Sequence, residues 1–370
     1  MEMEKVFHMN AGLGEFSYAQ NSTILQKTAL ELVEPMLEES ILSMDIMDCK
    51  TFCIADLGCS SGPNALLAVQ NVIKVLEAKY ISVGNPVPQF QVFFNDLPTT
   101  DFNSLFRSLP LSVMTDKNDP ARSYFTAGVP GSFFGRLFPE KSLHFVHSSY
   151  SLHWLSQIPS EVLEKNSVTW NKGKISAGGS PPVGEAYFRQ YQKDSNGFLR
   201  ARAQELVRGG RMLLVLMGRS SREPSDQGFI ARAWELLESS LNDLVSEGLI
   251  EEEKLDSFNL PLFCPCREEV SSEVAREGSF EIQRLDILIK PDSEEKVKAM
   301  RGSASAKEAY GKKIVKEVRA VTESLLEYHF GEEITDLLFN RYGEIFGKRW
   351  SEPMKYPENG EDLVIVLERK

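Results

Sequence analysis

The residues best placed to do chemistry lie in one run, Ile54-Ala55-Asp56-Leu57-Gly58-Cys59-Ser60-Ser61-Gly62-Pro63-Asn64, which reads as strand, glycine-rich turn, then helix. Glycine there lets the backbone turn tightly and approach a ligand closely. Three chemistries use such a turn. A dinucleotide site requires G-x-G-x-x-G, and Ser60 stands where the middle glycine belongs. A hydrolase nucleophile elbow requires G-x-S-x-G, which Gly58-Cys59-Ser60-Ser61-Gly62 satisfies letter for letter, with Ser60 as nucleophile. A turn for S-adenosylmethionine carries an acid two residues before its first glycine, the place of Asp56.

Context separates the last two. An elbow needs a developed parallel sheet and an HGGG-type oxyanion loop before it; here only a mostly helical stretch precedes the strand. A ribose diol is gripped by a carboxylate at the end of the second strand. Asp96 follows the run Gln89–Asn95 and occupies that place.

The elements that must position these groups follow from apolar spacing. Helices are expected over Thr23–Met44, Ala65–Lys79, Gly184–Val207, Asp226–Glu247, Arg267–Glu277, Lys307–Phe330 and Glu333–Phe346. Gly209-Gly210, Gly248 and Gly278 read as helix stops. Strands are expected at Thr51–Leu57, Gln89–Asn95, Ser142–Ser148, Arg211–Gly218, Phe280–Ile289 and Leu363–Arg369, with loops at Asn166–Pro182 and Pro291–Ser305. Strands alternating with helices make an α/β fold with a mostly parallel sheet covered on both faces. The later helices suggest an α-helical cap over the sheet's carboxyl edge.

Composition narrows the partners. Basic residues number 41 against 53 acidic, a net charge of −12, which argues against nucleic acid or an anionic membrane surface. No apolar run is long enough to span a bilayer, and residues 1–10 lack the pattern of a secretion signal. Five cysteines without a zinc spacing read as reduced thiols of a cytoplasmic protein.

The chain resembles the SABATH family of plant S-adenosylmethionine-dependent methyltransferases. The residues that carry the resemblance are His8-Met9-Asn10, Ser17–Ser22, Ala55–Asn64, Asn95–Pro98, Asp101-Phe102-Asn103, Val129–Phe133, Arg136–Pro139, His147–Trp154, Asn171–Ile175, Asp256–Asn259 and His329-Phe330-Gly331. Family members make methyl esters of small carboxylic acids, and some methylate xanthine nitrogens; the expectation for this chain is the methyl ester of a small, mostly aromatic acid of the salicylate, benzoate, cinnamate or indole-acetate type, with xanthine N-methylation as the alternative. The resemblance implies a class I, Rossmann-like methyltransferase sheet with an α-helical cap in a single catalytic unit, 1–370. Its core is expected at about 50–220 with late strands at 280–289 and 362–369. The cap falls at about 225–278 and 305–346, and an N-terminal segment, 1–45, closes the site.

It implies roles as well. Tyr18, Cys59, Asn64, Asp96, Leu97, Ser132 and Phe133 match positions that hold S-adenosylmethionine, and Asp56 lies in the same turn. Tyr150, His153 and Trp154 match the acceptor pocket. Asn171, Asp256, Phe258 and Asn259 match a peripheral magnesium site. A homodimer is the common state. Three departures stand out. Leu25 occupies a place where many members carry an acceptor-binding glutamine, and Gln26 is one residue on; His153-Trp154 replaces a common Met-Trp; Ala11-Gly12-Leu13 replaces a Gly-Gly.

Methyl transfer from a sulfonium is an in-line displacement, with the acceptor opposite the leaving sulfur at about 3–3.5 Å from the methyl carbon. A carboxylic acid with a pKa near 4 is already ionised at neutral pH, so no general base is required. The indole N–H of Trp154 and the amide of Gln26 are candidate donors to the acceptor, with Tyr150, Trp234, Met217 and Phe134 as apolar walls. A xanthine nitrogen would gain more from a base, and His153 is the candidate. The remaining alternatives are a serine hydrolase using Ser60 and a binding protein without turnover.

Overall fold

A computed structural model describes residues 3–12, 14–45, 47–60, 62–109, 124–292, 296–297, 299, 302, 304–349 and 360–370, apart from the side chains of residues 3, 23–26 and 229. Among these, a sheet of seven strands runs β1 Thr51–Leu57, β2 Gln89–Asp96, β3 Tyr124–Pro130, β4 Leu143–Ser149, β5 Leu206–Met217, β6 Phe280–Ile289 and β7 Glu361–Arg369. The spatial order is β3-β2-β1-β4-β5-β7-β6. Strands β1 to β5 are parallel, and β7 inserts antiparallel between β5 and β6. The order reverses between β1 and β4, so a crevice opens at their carboxyl ends, where open α/β sheets bind ligands.

Helices α1 Met3–Val6, α2 Tyr18–Ser43, α3 Asn64–Ser82, α4 Phe102–Ser108 and α5 Pro181–Glu205 belong to the first part of the chain, α6 Ala231–Ser246, α7 Glu252–Asp256 and α8 Arg267–Glu277 to the middle, and α9 Ala304–Phe330 and α10 Glu332–Arg349 to the last part. Strand β1 is apolar on both faces because both are covered. Phe52 and Ile54 pack with α2 and α3 residues such as Ile41 and Val69. Ala55 and Leu57 pack with Phe198 of α5 and Val270 of α8. A third core joins α6, α9 and α10 through Trp234, Leu237, Leu325, Leu338 and Tyr342, and it reaches Phe7 and Trp154 at the crevice. The N-terminal segment is tied to α9 by Asn10 N–H donating to Ala320 O (3.0 Å) and Ser324 Oγ donating to His8 O (2.8 Å).

Three sequence expectations shift. Gly209-Gly210 does not stop α5, which ends at Glu205; both glycines lie inside β5. There the pairing jumps from Leu143↔Leu206 to Phe145↔Arg211. Gly209 has φ +74, and a Cβ on Gly210 would lie 2.9 Å from Val207 O, so the pair builds a bulge. The structure adds strand β3, whose sequence, YFTAGVP, carries little periodic signal because it lies at the sheet edge with one weakly apolar face. Helix α2 begins at Tyr18, ahead of the expected Thr23. The expected loop Pro291–Ser305 lies partly outside the described residues.

Candidate active site

The turn after β1 is shaped by close approach. Gly58 has φ +80, and a Cβ there would lie 2.0 Å from Ser151 Oγ and 2.5 Å from Ser151 Cβ. The N–H groups of Gly58 and Cys59 both donate to Asn95 O (2.9 and 3.0 Å), which locks the ends of β1 and β2 together. A Gly58→Ala change combines a left-handed backbone with a steric clash. It should destabilise the fold by about 2–4 kcal/mol in urea unfolding, from the ordinary penalties for each. Wild-type stability in that variant would mean that Ser151 can move aside freely.

Asp96 closes the turn. Its carboxylate accepts from Ser60 N–H (2.7 Å), Leu97 N–H (2.7 Å) and Thr100 Oγ1 (2.8 Å). Burial raises its pKa against the pull of these donors, and Asp56 adds to the rise. Asp56 pairs with His147 Nδ1 at 2.6 Å, a contact its register opposite His147 makes inevitable. Burial, with Asp96 and Asp56 beside it, holds the Cys59 thiol well above its ordinary pKa. Cys59 is therefore a neutral wall, not a nucleophile. Asn64 Nδ2 donates to Ser22 Oγ (3.0 Å), while Asn64 Oδ1 and Ser60 Oγ are buried with no hydrogen-bond partner.

These groups share one cleft, open to solvent, with about 1110 Å³ of empty space. Tyr18, Asp56, Cys59, Asn64, Asp96, Leu97, Ser132 and Phe133 all line it, so the structure brings together every residue expected to hold the cofactor. Tyr150 and Trp154 line it too. The charged side chains on its wall are Glu4, Asp56 and Asp96, with no lysine or arginine among the described residues. Such a field favours a cation. Two carboxylates, an orphaned amide oxygen and a glycine cradle fit S-adenosylmethionine, with its sulfonium, ammonium and ribose.

The acceptor-side residues divide. Tyr150 sits at φ +54 and is held from behind: its OH donates to Asp362 Oδ2 (2.5 Å), and Lys290 Nζ lies 3.0 Å from Asp362 Oδ1. Trp154 is 7% exposed and packs on Phe7 in a tilted contact (centroids 4.6 Å apart, 46° between planes). His153, Met217 and Trp234 are not on the cleft wall. Trp234 is buried in the core of α6, α9 and α10, with its indole N–H unpartnered, and Met217 packs against that core. His153 is 1% exposed, and its Nδ1 accepts from Met217 N–H (3.3 Å). The side chains of Leu25 and Gln26 lie outside the described residues.

Burial, with a smaller push from Lys290, lowers the His153 pKa to about 3. Below the ordinary histidine pKa of about 6.5 the unfolded chain takes up a proton that the folded chain refuses. The stability is complete above about pH 6.5 and falls as pH drops toward 3, by about 2 kcal/mol at pH 5. A His153→Asn variant should lose this acid sensitivity in urea unfolding compared at pH 5 and pH 7. Equal pH slopes in the two proteins would contradict the buried neutral imidazole.

Most of the residues expected to bind magnesium already have partners within the protein. Asn171 Nδ2 donates to Asn259 Oδ1 (2.6 Å), and Asp256 Oδ1 accepts from Gly173 N–H (2.9 Å). Phe258 packs on His329 and Phe330. Asn171 Oδ1 is buried without a partner and suits a hard cation, but one carboxylate and one free amide oxygen make a sparse set. Among the described residues no group of three His, Cys, Asp or Glu side chains is placed to hold a metal.

Phe7, His8, Met9, Thr100 and Ser151 also line the cleft. Sequence reasoning gave them no site role, because the N-terminal stretch has no periodicity and small polar loop residues carry no spacing signal. Only the resemblance pointed there, through the His8-Met9-Asn10 and His147–Trp154 matches and the expected closure of the site by residues 1–45.

The sequence model for S-adenosylmethionine-dependent carboxyl methyltransferases matches residues 4–370. The chain belongs to this family. The methyltransferase is 46% identical to "Probable jasmonic acid carboxyl methyltransferase 1" of Theobroma cacao, over 100% of both chains. It is 44% identical to the salicylate carboxymethyltransferase of Clarkia breweri, over 100% of this chain and 99% of the other. Its fold matches a loganic acid methyltransferase solved with S-adenosylhomocysteine, at TM-score 0.85, 39% identity and 98% of each chain. The class I methyltransferase sheet and S-adenosylmethionine as methyl donor follow. No described helix is long and apolar enough to cross a membrane.

Proposed function

We propose that this methyltransferase forms the methyl ester of a small, largely apolar carboxylic acid, with the acceptor between Trp154, Tyr150 and Phe7 and the cofactor on the Asp56–Asn64 turn and Asp96. The observation that carries the reading is the single cleft in which the acidic turn residues and the Trp154–Phe7 pair meet. S-adenosylmethionine supplies a methyl group on a sulfonium. The protein's part is placement. Asp96 offers a fixed carboxylate for the ribose diol, and Asn64 Oδ1 is an open acceptor for an ammonium. The aromatic walls exclude water from the acceptor carboxylate, which strengthens its reactivity without a base. The hydrolase reading lacks support, because Ser60 Oγ has no hydrogen-bonded base.

Relatives act on jasmonate and on salicylate, so the test is a radiolabelled-methyl assay over aromatic, cyclopentanone and iridoid acids and xanthines. Ester formation from an acid is the expected result. With a carboxylate acceptor the rate should hold down to about the acid's own pKa. Turnover of xanthines in place of acids would favour a nitrogen acceptor instead, without His153 as its base, since that imidazole is buried off the cleft wall and held neutral. The Asn171–Asn259 cluster as a peripheral magnesium site, a homodimer and a cytoplasmic location belong to the same proposal. Chelator should leave kcat unchanged, and light scattering should give twice the chain mass.

The expected layout of domains is part of this reading. Of the expected cap, 225–278 and 305–346, helices α6, α9 and α10 share one core and act as the cap, whereas Val270 and Val274 of α8 pack with the sheet; the segment before β1 closes the cleft. The ties of Asn10 and His8 to α9 support it, as does Thr99 Oγ1 donating to Phe7 O at 2.8 Å.

A further inference from the structure

The loop after β3 carries Ser132, Phe133 and Phe134 to the cleft wall, yet it has only turns and bends of its own. Behind it, in the last turn of α5, lie Arg202 and Glu205, both 0% exposed and neither on the cleft. Arg202 Nε donates to Glu205 Oε2 (2.6 Å). Its other two nitrogens donate to Phe133 O (2.8 Å) and Gly135 O (2.9 Å). Glu205 Oε1 accepts from Leu137 N–H (2.6 Å) and Phe138 N–H (3.0 Å). The Phe198 ring lies under the guanidinium at 5.3 Å and meets Phe133 edge-on at 6.2 Å. A Cβ on Gly197 would stand 3.0 Å from Phe134 O, so α5 presses directly on the loop.

A buried ion pair is a poor way to hold a helix. Taking both charges out of water costs several kcal/mol per ion, and apolar residues of like volume often do as well or better. What an apolar pair cannot do is bond four backbone groups of one irregular loop. Two carbonyls and two amides would be left without partners, and the loop would reorient to find water.

We propose that Arg202 and Glu205 are positioning residues that hold the 133–138 loop in its cofactor-binding shape before S-adenosylmethionine arrives. The planar fork of arginine is what lets one side chain reach the carboxylate and two carbonyls together. A loop already in place loses little conformational entropy when the cofactor binds. The proposal rests on the reading that Ser132 and Phe133 face the cofactor.

The test uses calorimetry of S-adenosylhomocysteine with the wild type, with Arg202→Lys and with the double variant Arg202→Met/Glu205→Leu, which removes both charges at similar volume. Both variants should bind about tenfold more weakly, the scale of one or two lost directional hydrogen bonds, and KM for S-adenosylmethionine should rise with it. KM for the acceptor at saturating cofactor should stay within about twofold, because uniform damage would move both. Variants with native near-ultraviolet dichroism that bind like the wild type, or that lose both KM values together, overturn the proposal. Failure of the wild type to bind would instead overturn the cofactor site. Hydrogen exchange on the wild type is decisive even where a variant fails to fold. The Leu137 and Phe138 amides should be protected in the free enzyme and gain little with ligand. Fast exchange that slows only on ligand addition refutes a preformed loop.

Discussion

Replacing Asp96 with alanine should weaken S-adenosylhomocysteine binding by about 100-fold in calorimetry. The figure corresponds to losing one to two hydrogen bonds to a charged group, at about 1.5–3 kcal/mol each. The carboxylate has two jobs. In the proposed site it accepts from a ribose diol, and it anchors Ser60 N–H, Leu97 N–H and Thr100 Oγ1. Alanine abandons both, so the turn loosens as the ligand contact disappears. Asp96→Asn keeps an acceptor oxygen but turns an amide toward donors, and should fall between the two. If Asp96→Ala binds S-adenosylhomocysteine as tightly as the wild type, the ribose lies elsewhere. A drop in thermal stability alone would leave Asp96 as a turn anchor only.

The second large effect belongs to Trp154. Among the described residues nothing accepts from its indole N–H, and its ring is fixed against Phe7 and lines the cleft. Trp154→Phe keeps most of the ring contact with Phe7 and deletes the donor. A hydrogen bond to a carboxylate is worth about 1.5–3 kcal/mol, which converts to a drop in kcat/KM of about 10- to 150-fold. Cofactor affinity should barely move, since the turn residues that would hold it are untouched. Near-normal kinetics with a lowered melting temperature would reduce Trp154 to a packing residue, and the acceptor donor would have to be sought elsewhere on the cleft wall.

The neighbouring residues His153 and Trp154 show where reading a sequence stops. Both follow β4 and match acceptor-pocket positions, yet Trp154 faces the cleft while His153 is driven inward, where burial and Lys290 keep it neutral. Outside a helix or strand no period says which of two consecutive side chains turns inward. Trp234 and Met217 fail differently. Helical and strand spacing identify an apolar face but not the surface opposite it, and theirs is the core of α6, α9 and α10. Tyr150 owes its position to Asp362, 212 residues later, which no local pattern announces.

What the sequence determined by itself was whatever depends on neighbours in the chain. The acid, glycines and proline from Asp56 to Pro63 specify a strand, a left-handed turn and a helix start within a few residues, and β1, β6 and α8 have the expected ends. The tertiary structure alone decided the strand order, the edge strand β3 and the bulge at Gly209-Gly210. It also decided the seating of Phe7 on Trp154 and the grip of Arg202 and Glu205 on the 133–138 loop. Each of these joins residues far apart in the chain, and the energy that selects them is burial and hydrogen-bond satisfaction against a distant surface, which local propensity does not encode.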